Sequence, residues 1–341
     1  MFLKKSLSIC VLSAMIAITG CQTVNNSTSH QSESQSQTKI QLNTSQMMEH
    51  LKAFEKIANE NGGNRAVATK GGLASAQYII EQAKSINLKP QVIAFENRNK
   101  KVGQNIIVEI PGQSKESAII VGAHYDSVEM GPGINDNASG VALVLELMKQ
   151  YSASKVKPQH TIYFAFWDSE EDGIGGSQDY VKRLTADQLK GIKAYINVDM
   201  VGTKSPEILI ADGDKSSVDD MEKMLKERGM SEADYKPLID GLRSIPSHAG
   251  DLALENTLKD FFKLKNTEIR EDTSTLTASD TAPFLGKVPV ASIILFNEQL
   301  KGDVLEFAPC YHKACDTIEQ VDPKSLEMAG EGLIYLINHI N

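Results

Sequence analysis

The chain has 341 residues, 41% of them hydrophobic, with 35 Lys and Arg against 44 Asp and Glu and a formal net charge of -9. That length and apolar content suit one large core and a single α/β domain, and an acidic balance without a long basic run excludes a nucleic-acid footprint. No run of eighteen apolar residues occurs, so no permanent membrane crossing is expected.

The N-terminus reads as an address. Lys4 and Lys5 precede an apolar stretch from Leu7 to Ile18, the pattern of an export signal. Ile18-Thr19-Gly20-Cys21 resembles the bacterial lipobox, which implies that residues 1–20 are removed and that Cys21 carries lipid; the alternative is an ordinary signal with a chance cysteine. Gln22 at the next position implies, by the same resemblance, the outer membrane of a Gram-negative envelope, with the protein on its periplasmic or extracellular face. From Thr23 to about Thr44 the chain is nearly all polar, the composition of a disordered tether over residues 21–44. The folded domain is expected over 45–341.

Ser45 is read as the cap of a helix whose apolar stripe is Met48, Leu51, Phe54, Ile57 and Ala58, ended by Gly62-Gly63. A second helix is expected from Leu73 through Ala83, then strands at Gln91–Phe95 and Asn105–Ile110. The short Ile- and Val-rich run Ala118–Ala123 reads as a buried strand that delivers His124 and Asp126 at its end. A glycine-rich loop follows with Asp136 in it, and a helix begins near Val141. Strand Thr161–Phe166 delivers Glu170 and Glu171, and strand Ala194–Val198 delivers Asp199. Further on, periodicity predicts a strand at Ile208–Ala211, helices at Val218–Arg228 and Leu252–Phe262, a strand at Val290–Leu295 and a last helix from Pro323. Strands alternating with helices predict an α/β fold, a single domain with a mostly parallel central sheet flanked by helices, and ligands then bind beyond the carboxyl ends of the strands.

Alone, a His-x-Asp is more often a hydrogen-bonded pair, and a Glu-Glu is usually solvated. Gathered at the ends of three apolar strands, one histidine and four carboxylates would form a costly charge cluster without cations. Cys10 leaves with the signal and Cys21 is the lipid candidate, so Cys310 and Cys315 remain for the domain. In an exported chain, two cysteines five positions apart are read as a small-loop disulfide rather than as metal ligands, with His312 pinned inside it. His30, His50, His160, His248 and His339 fit no ligand motif and are read as structural.

In this order and spacing, HYDS, GINDNASG, WDSEEDG, NVDMVG and CYHKACDT resemble the co-catalytic zinc aminopeptidases of family M28, over roughly residues 50–341. The chain departs from the family at Ser279-Asp280-Thr281, where many relatives have Ser-Asp-His. The resemblance implies a zinc-peptidase fold with two zinc ions per chain. It gives one ion to His124 and Asp199, the other to Glu171 and His312, and makes Asp136 the bridge. Such a site acidifies a shared water and polarises a carbonyl. It further implies that Glu170 is the general base, that Asp126 orients the His124 ring and that Tyr311 donates to the oxyanion.

The expected reaction is release of N-terminal residues from peptides with a free amine. The motif segments hold no Arg to capture a substrate carboxylate, while Glu170 and Asp199 are where the resemblance places a substrate ammonium; Arg243 and Arg270 are the arginines whose position could alter that. Two other readings stay open on the same fold, a single-zinc glutaminyl cyclase and a non-catalytic binding module. The protein is expected to be a monomer that meets the membrane only through its lipid and binds no nucleic acid.

Overall fold

The computed structural model describes residues 40–301 and 304–341. The export signal, Cys10, Cys21, His30 and the tether as far as residue 39 lie outside them. Helices α1 (Thr44–Glu60) and α2 (Lys70–Ser85) come first. The cap of α1 is Asn43, not Ser45: its side chain accepts from the Gln46 N–H at 3.1 Å, satisfying one of the helix's free donors. Its own N–H donates to buried Glu146 at 3.0 Å, and Leu42 packs on Gly330, so the packed chain begins ahead of the expected boundary at 45.

Then follow β1 (Gln91–Glu96), β2 (Val102–Ile110), β3 (Ser114–His124), α3 (Ser139–Ala153) and β4 (His160–Trp167). Next are α4 (Gly175–Arg183), α5 (Ala186–Gly191), β5 (Ile192–Asp199), β6 (Glu207–Ala211), α6 (Ser216–Glu227), α7 (Glu232–Arg243) and α8 (Asp251–Leu264). The chain ends with β7 (Arg270–Asp272), α9 (Ser274–Thr277), β8 (Val290–Phe296), the hairpin β9 (Gln299–Lys301) and β10 (Val304–Glu306), and α10 (Pro323–His339). Eight strands form one sheet in the order β1-β2-β4-β3-β5-β8-β6-β7. Its centre, β4-β3-β5-β8, is parallel, while β1-β2, β2-β4 and β6-β8 are antiparallel, so the single α/β domain has a mixed, mostly parallel sheet.

Both faces of that centre are covered, which is why its strands are continuously apolar. Ile119, Val121, Ala123, Phe164 and Phe166 point into a core shared with α1, α2, α3, α8 and α10. The alternate residues Ile120, Ala165, Trp167 and Tyr195 pack on the other face with Val181 of α4, Leu276 of α9 and Phe284. Each large apolar side chain so buried contributes about 1.5–3 kcal/mol. Gly122 is required where Trp167 Nε1 donates to Tyr195 Oη at 3.0 Å across it, since a Cβ there would lie 2.4 Å from that nitrogen.

Candidate metal centre

Parallel pairing in register brings the carboxyl ends of three strands together: His124 of β3 stands beside Trp167 of β4, and Gly122 beside Asn197 of β5. Beyond those ends lie His124, Glu170, Glu171 and Asp199. Asp136 comes from the irregular turn Ile134–Ala138 ahead of α3, in which it and Asn137 have non-helical backbone angles. His312 comes from the last loop, closed by the Cys310–Cys315 disulfide.

These side chains form two groups with one shared member. His124 Nε2 is 3.4 Å from Asp136 Oδ1 and 3.6 Å from Asp199 Oδ1. His312 Nε2 is 3.2 Å from Asp136 Oδ2 and 3.0 Å from Glu171 Oε2. Asp136 thus turns one oxygen to each group, and within a group the donor atoms lie within 4.8 Å of one another.

Cations fit this donor set. Asp199 Oδ1 and Glu171 Oε1 are buried with no hydrogen-bond partner, a costly state for polar atoms unless something else engages them. Metal-free, the site also shifts its own protons. Burial raises Glu171 to about 7 with Asp136 adding to it, and pushes Glu170 well above the usual carboxylate range. Burial alone would lower His312, but hydrogen bonds to Asp136 and Glu171 carry it to about 10.

The donors are held from behind. Asp126 accepts the Glu170 N–H at 3.0 Å and the Glu171 N–H at 3.2 Å, and its Oδ1 lies 3.4 Å from His124 Nδ1, so it positions the two glutamates as well as the ring. Asp316, four residues after His312, accepts the N–H groups of Asn135 and Asp136 at 2.9 and 3.1 Å. Behind Asp199 runs a chain of donors: Tyr195 to Asn197 at 2.9 Å, Asn197 to Ser279 at 3.0 Å, Ser279 to Asp199 Oδ2 at 2.7 Å. Asp280, in the segment where the chain departs from the resemblance, is buried, accepts from Ser177 at 2.5 Å and is raised by burial to about 7.

The model of peptidase family M28 matches residues 105–337, about two thirds of the chain and every donor described above. The chain belongs to peptidase family M28. Among its relatives, leupeptin-inactivating enzyme 1 of Streptomyces exfoliatus is 27% identical over 84% of this chain and 60% of its own length. The protein called probable lipoprotein aminopeptidase LpqL in Mycobacterium tuberculosis is 33% identical over 69% of this chain and 45% of its own. The chain thus spans about half the length of these M28 relatives. Its fold is that of a Bacillus subtilis zinc aminopeptidase (TM-score 0.66, 16% identity, 87% of this chain and 95% of that one) and of a Bacteroides thetaiotaomicron glutaminyl cyclase (TM-score 0.64, 18% identity, 88% and 99%).

Within this M28 domain the other described histidines stand away from the metal groups. His50 meets Tyr78 Oη at 2.7 Å, His160 meets Ser117 Oγ at 2.7 Å, and His248 and His339 bond backbone groups. Arg243 pairs with Asp219 and Glu222, and Arg270 with Glu207, Asp272 and Glu298. Sequence periodicity passed over Arg65, which is fully buried beside the site and gives its guanidinium to the carbonyls of Tyr125, Pro132 and Gly133. Tyr311 stacks on His312, ring centroids 3.7 Å apart. Among the described residues no helix is long and apolar enough to cross a membrane.

Proposed function

We propose that this chain is a two-zinc aminopeptidase that hydrolyses the N-terminal peptide bond of short peptides with a free α-amine. The observation that carries the proposal is Asp136, whose two oxygens serve two separate His-carboxylate groups. One ion would be held by His124, Asp136 and Asp199, the other by Asp136, Glu171 and His312, each with three protein ligands and an open position. When bound, the zinc pair supplies Lewis acidity for the peptide carbonyl and for water.

The side chains do the rest. Glu170 takes a proton from the attacking water and returns it to the leaving amine; a carboxylate that burial has made more basic suits that double duty. Tyr311, half-buried and raised by desolvation, keeps its hydroxyl proton and offers it as a hydrogen bond to the oxyanion. Glu170 and Asp199 supply negative charge for a substrate ammonium. Arg65, Arg243 and Arg270 are all engaged, so none of them supplies the carboxylate clamp of a carboxypeptidase beside the metals.

Comparing a peptide with its N-acetylated form tests the reaction: the free peptide should be cleaved and should release its N-terminal residue, and equal rates or first release of the C-terminal residue would overturn it. Metal analysis after zinc reconstitution separates the glutaminyl cyclase and binding-module readings, because the proposal requires two ions per chain. Export and a lipid anchor at Cys21 belong to the same proposal, supported by the lipobox pattern and by the name of the M. tuberculosis relative. Cys21→Ser should move the protein from the membrane to the soluble fraction; retention on membranes would count against the anchor.

A further inference from the structure

We propose that Arg65 is a positioning residue for the metal centre, a clamp on both ends of the loop between His124 and Asp136 that sets the spacing of these two donors. This rests on the two-zinc reading of the centre and names a further residue on which that centre depends.

His124 ends β3 and Asp136 lies in the turn Ile134–Ala138, so residues 125–133, which form neither helix nor strand, join two donors of one ion. A free loop samples many arrangements in which its ends stand at other distances. Here His124 Nε2 and Asp136 Oδ1 are 3.4 Å apart. A zinc site tolerates little error in that spacing, because its bonds to nitrogen and oxygen keep to about 2.0–2.2 Å.

Arg65 comes from the connection between α1 and α2 and is fully buried. Nη1 donates to the carbonyl of Tyr125, the residue after His124, and Nη2 to the carbonyl of Gly133, three residues before Asp136, at 2.5 Å. Nε donates to the Pro132 carbonyl at 2.8 Å. The backbone N–H of Arg65 donates to Ser127 Oγ at 2.8 Å, and that hydroxyl donates to the Gly131 carbonyl at 3.0 Å. One planar fork thus holds the first and last residues of the loop at a fixed separation, which the single point of an ammonium does not reproduce. The seat is itself built: the Phe54 ring centroid lies 5.3 Å from the guanidinium carbon, and Gly133, at a φ of +61°, leaves so little room that a Cβ there would lie 3.1 Å from Nη2. Burial lowers the guanidinium to about 10 against the pull of Asp126, Asp316, Asp136 and Glu171, so it stays a cation at neutral pH. Charge and geometry must therefore be separated in the test.

The measurements are zinc affinity by competition with a chelator, melting of the metal-free protein, and kcat and KM on a leucyl peptide at saturating zinc. Arg65→Lys keeps the charge and loses the fork, and Arg65→Met loses both. Both variants should bind zinc about 10–100-fold more weakly, the scale on which support behind a metal ligand acts, and should lower kcat while KM changes little. Leu336→Ala, a buried core position of α10, should lower the melting temperature alone. Wild-type zinc affinity and kcat in Arg65→Lys would mean that the residue supplies charge only. Lower melting with unaltered zinc affinity in both Arg65 variants, the pattern of Leu336→Ala, would mean that it serves the fold only. Either result overturns the proposal. Should the Arg65 variants not fold, hydrogen exchange on the metal-free wild type decides: peptides covering residues 125–137 should exchange as slowly as those of β3, and exchange at the rate of an open loop would overturn the clamp. A wild type that takes up fewer than two zinc ions would remove the two-zinc reading and this inference with it, whereas one that binds two ions and releases no leucine would overturn the aminopeptidase reading and leave the clamp standing.

Discussion

Glu170 and Glu171 are neighbours in the chain, and Asp126 takes the backbone N–H of each while Glu171 reaches His312; the proposed mechanism gives them different duties, Glu171 to a metal and Glu170 to protons. Two substitutions should separate these duties. Glu170→Gln keeps the shape and is expected to retain both metals while losing about 10²–10⁴-fold in kcat; Asp136→Asn removes charge from both groups and should release both ions. Metal content measured beside kcat decides it, and a nearly fully active Glu170→Gln would sink the assignment of the base. At this scale the sequence was most informative where a functional residue ends an apolar run: His124 and Asp199 each close a buried strand. It passed over Arg65, and it gave no role to Ser279 or Asp316 although both lie in segments it singled out. Their hydrogen bonds span 60 to 181 positions, and neither periodicity nor local spacing carries a signal of a partner that far away.

Among the elements, the last loop shows how little regular structure the site needs. Residues 310–315 form neither helix nor strand, Cys310 and His312 both sit at positive φ, and the disulfide together with Asp316 holds them there. Such backbone costs on the order of 1–3 kcal/mol per residue unless its surroundings enforce it. Replacing both cysteines by serine is therefore expected to weaken the second metal about 10–100-fold, the scale seen when support behind a ligand is lost. Thermal stability should change much less, since closing so short a loop contributes less than the ~3 kcal/mol of a 15-residue loop. Zinc titration and thermal melts on the same variant give the answer; an unchanged second affinity would show that Asp316 alone holds His312. The regular elements were legible in proportion to their burial. β3, β4, β5 and β8 read directly as apolar runs, whereas α7, with Pro237 inside it and only Tyr235 and Ile239 buried, gave no stripe to follow. The helix α1 was found but its start was misread, because Asn43 and Ser45 are both good caps and only tertiary contact with Glu146 chooses between them.

Taken as a whole, the molecule surrounds a highly charged centre with an apolar sheet, and metal binding, protonation and stability are therefore one linked equilibrium. Burial leaves Glu171, Asp280 and Asp316 near 7 in the metal-free protein, while contacts with carboxylates carry His312 to about 10. Without metal, Glu171 is thus only partly ionised near neutral pH and His312 is protonated, and these protons must leave before the groups can serve as ligands. Zinc binding should release protons, and its affinity should climb with pH from about 6 through neutrality. The sign follows from the ligands themselves: a raised pKa means more protons bound in the free form, and raising the pH removes that competitor. Calorimetry in two buffers of different ionisation enthalpy measures the release directly. In parallel, chelation should lower the melting temperature, because a ligand bound only to the folded chain adds about 4 kcal/mol at a thousandfold excess over its Kd. That difference should be larger at pH 8 than at pH 6. Heats identical in the two buffers, or a chelation effect that shrinks as pH rises, would mean that the centre holds its carboxylates ionised without metal, and the buried donors would then need another source of compensation.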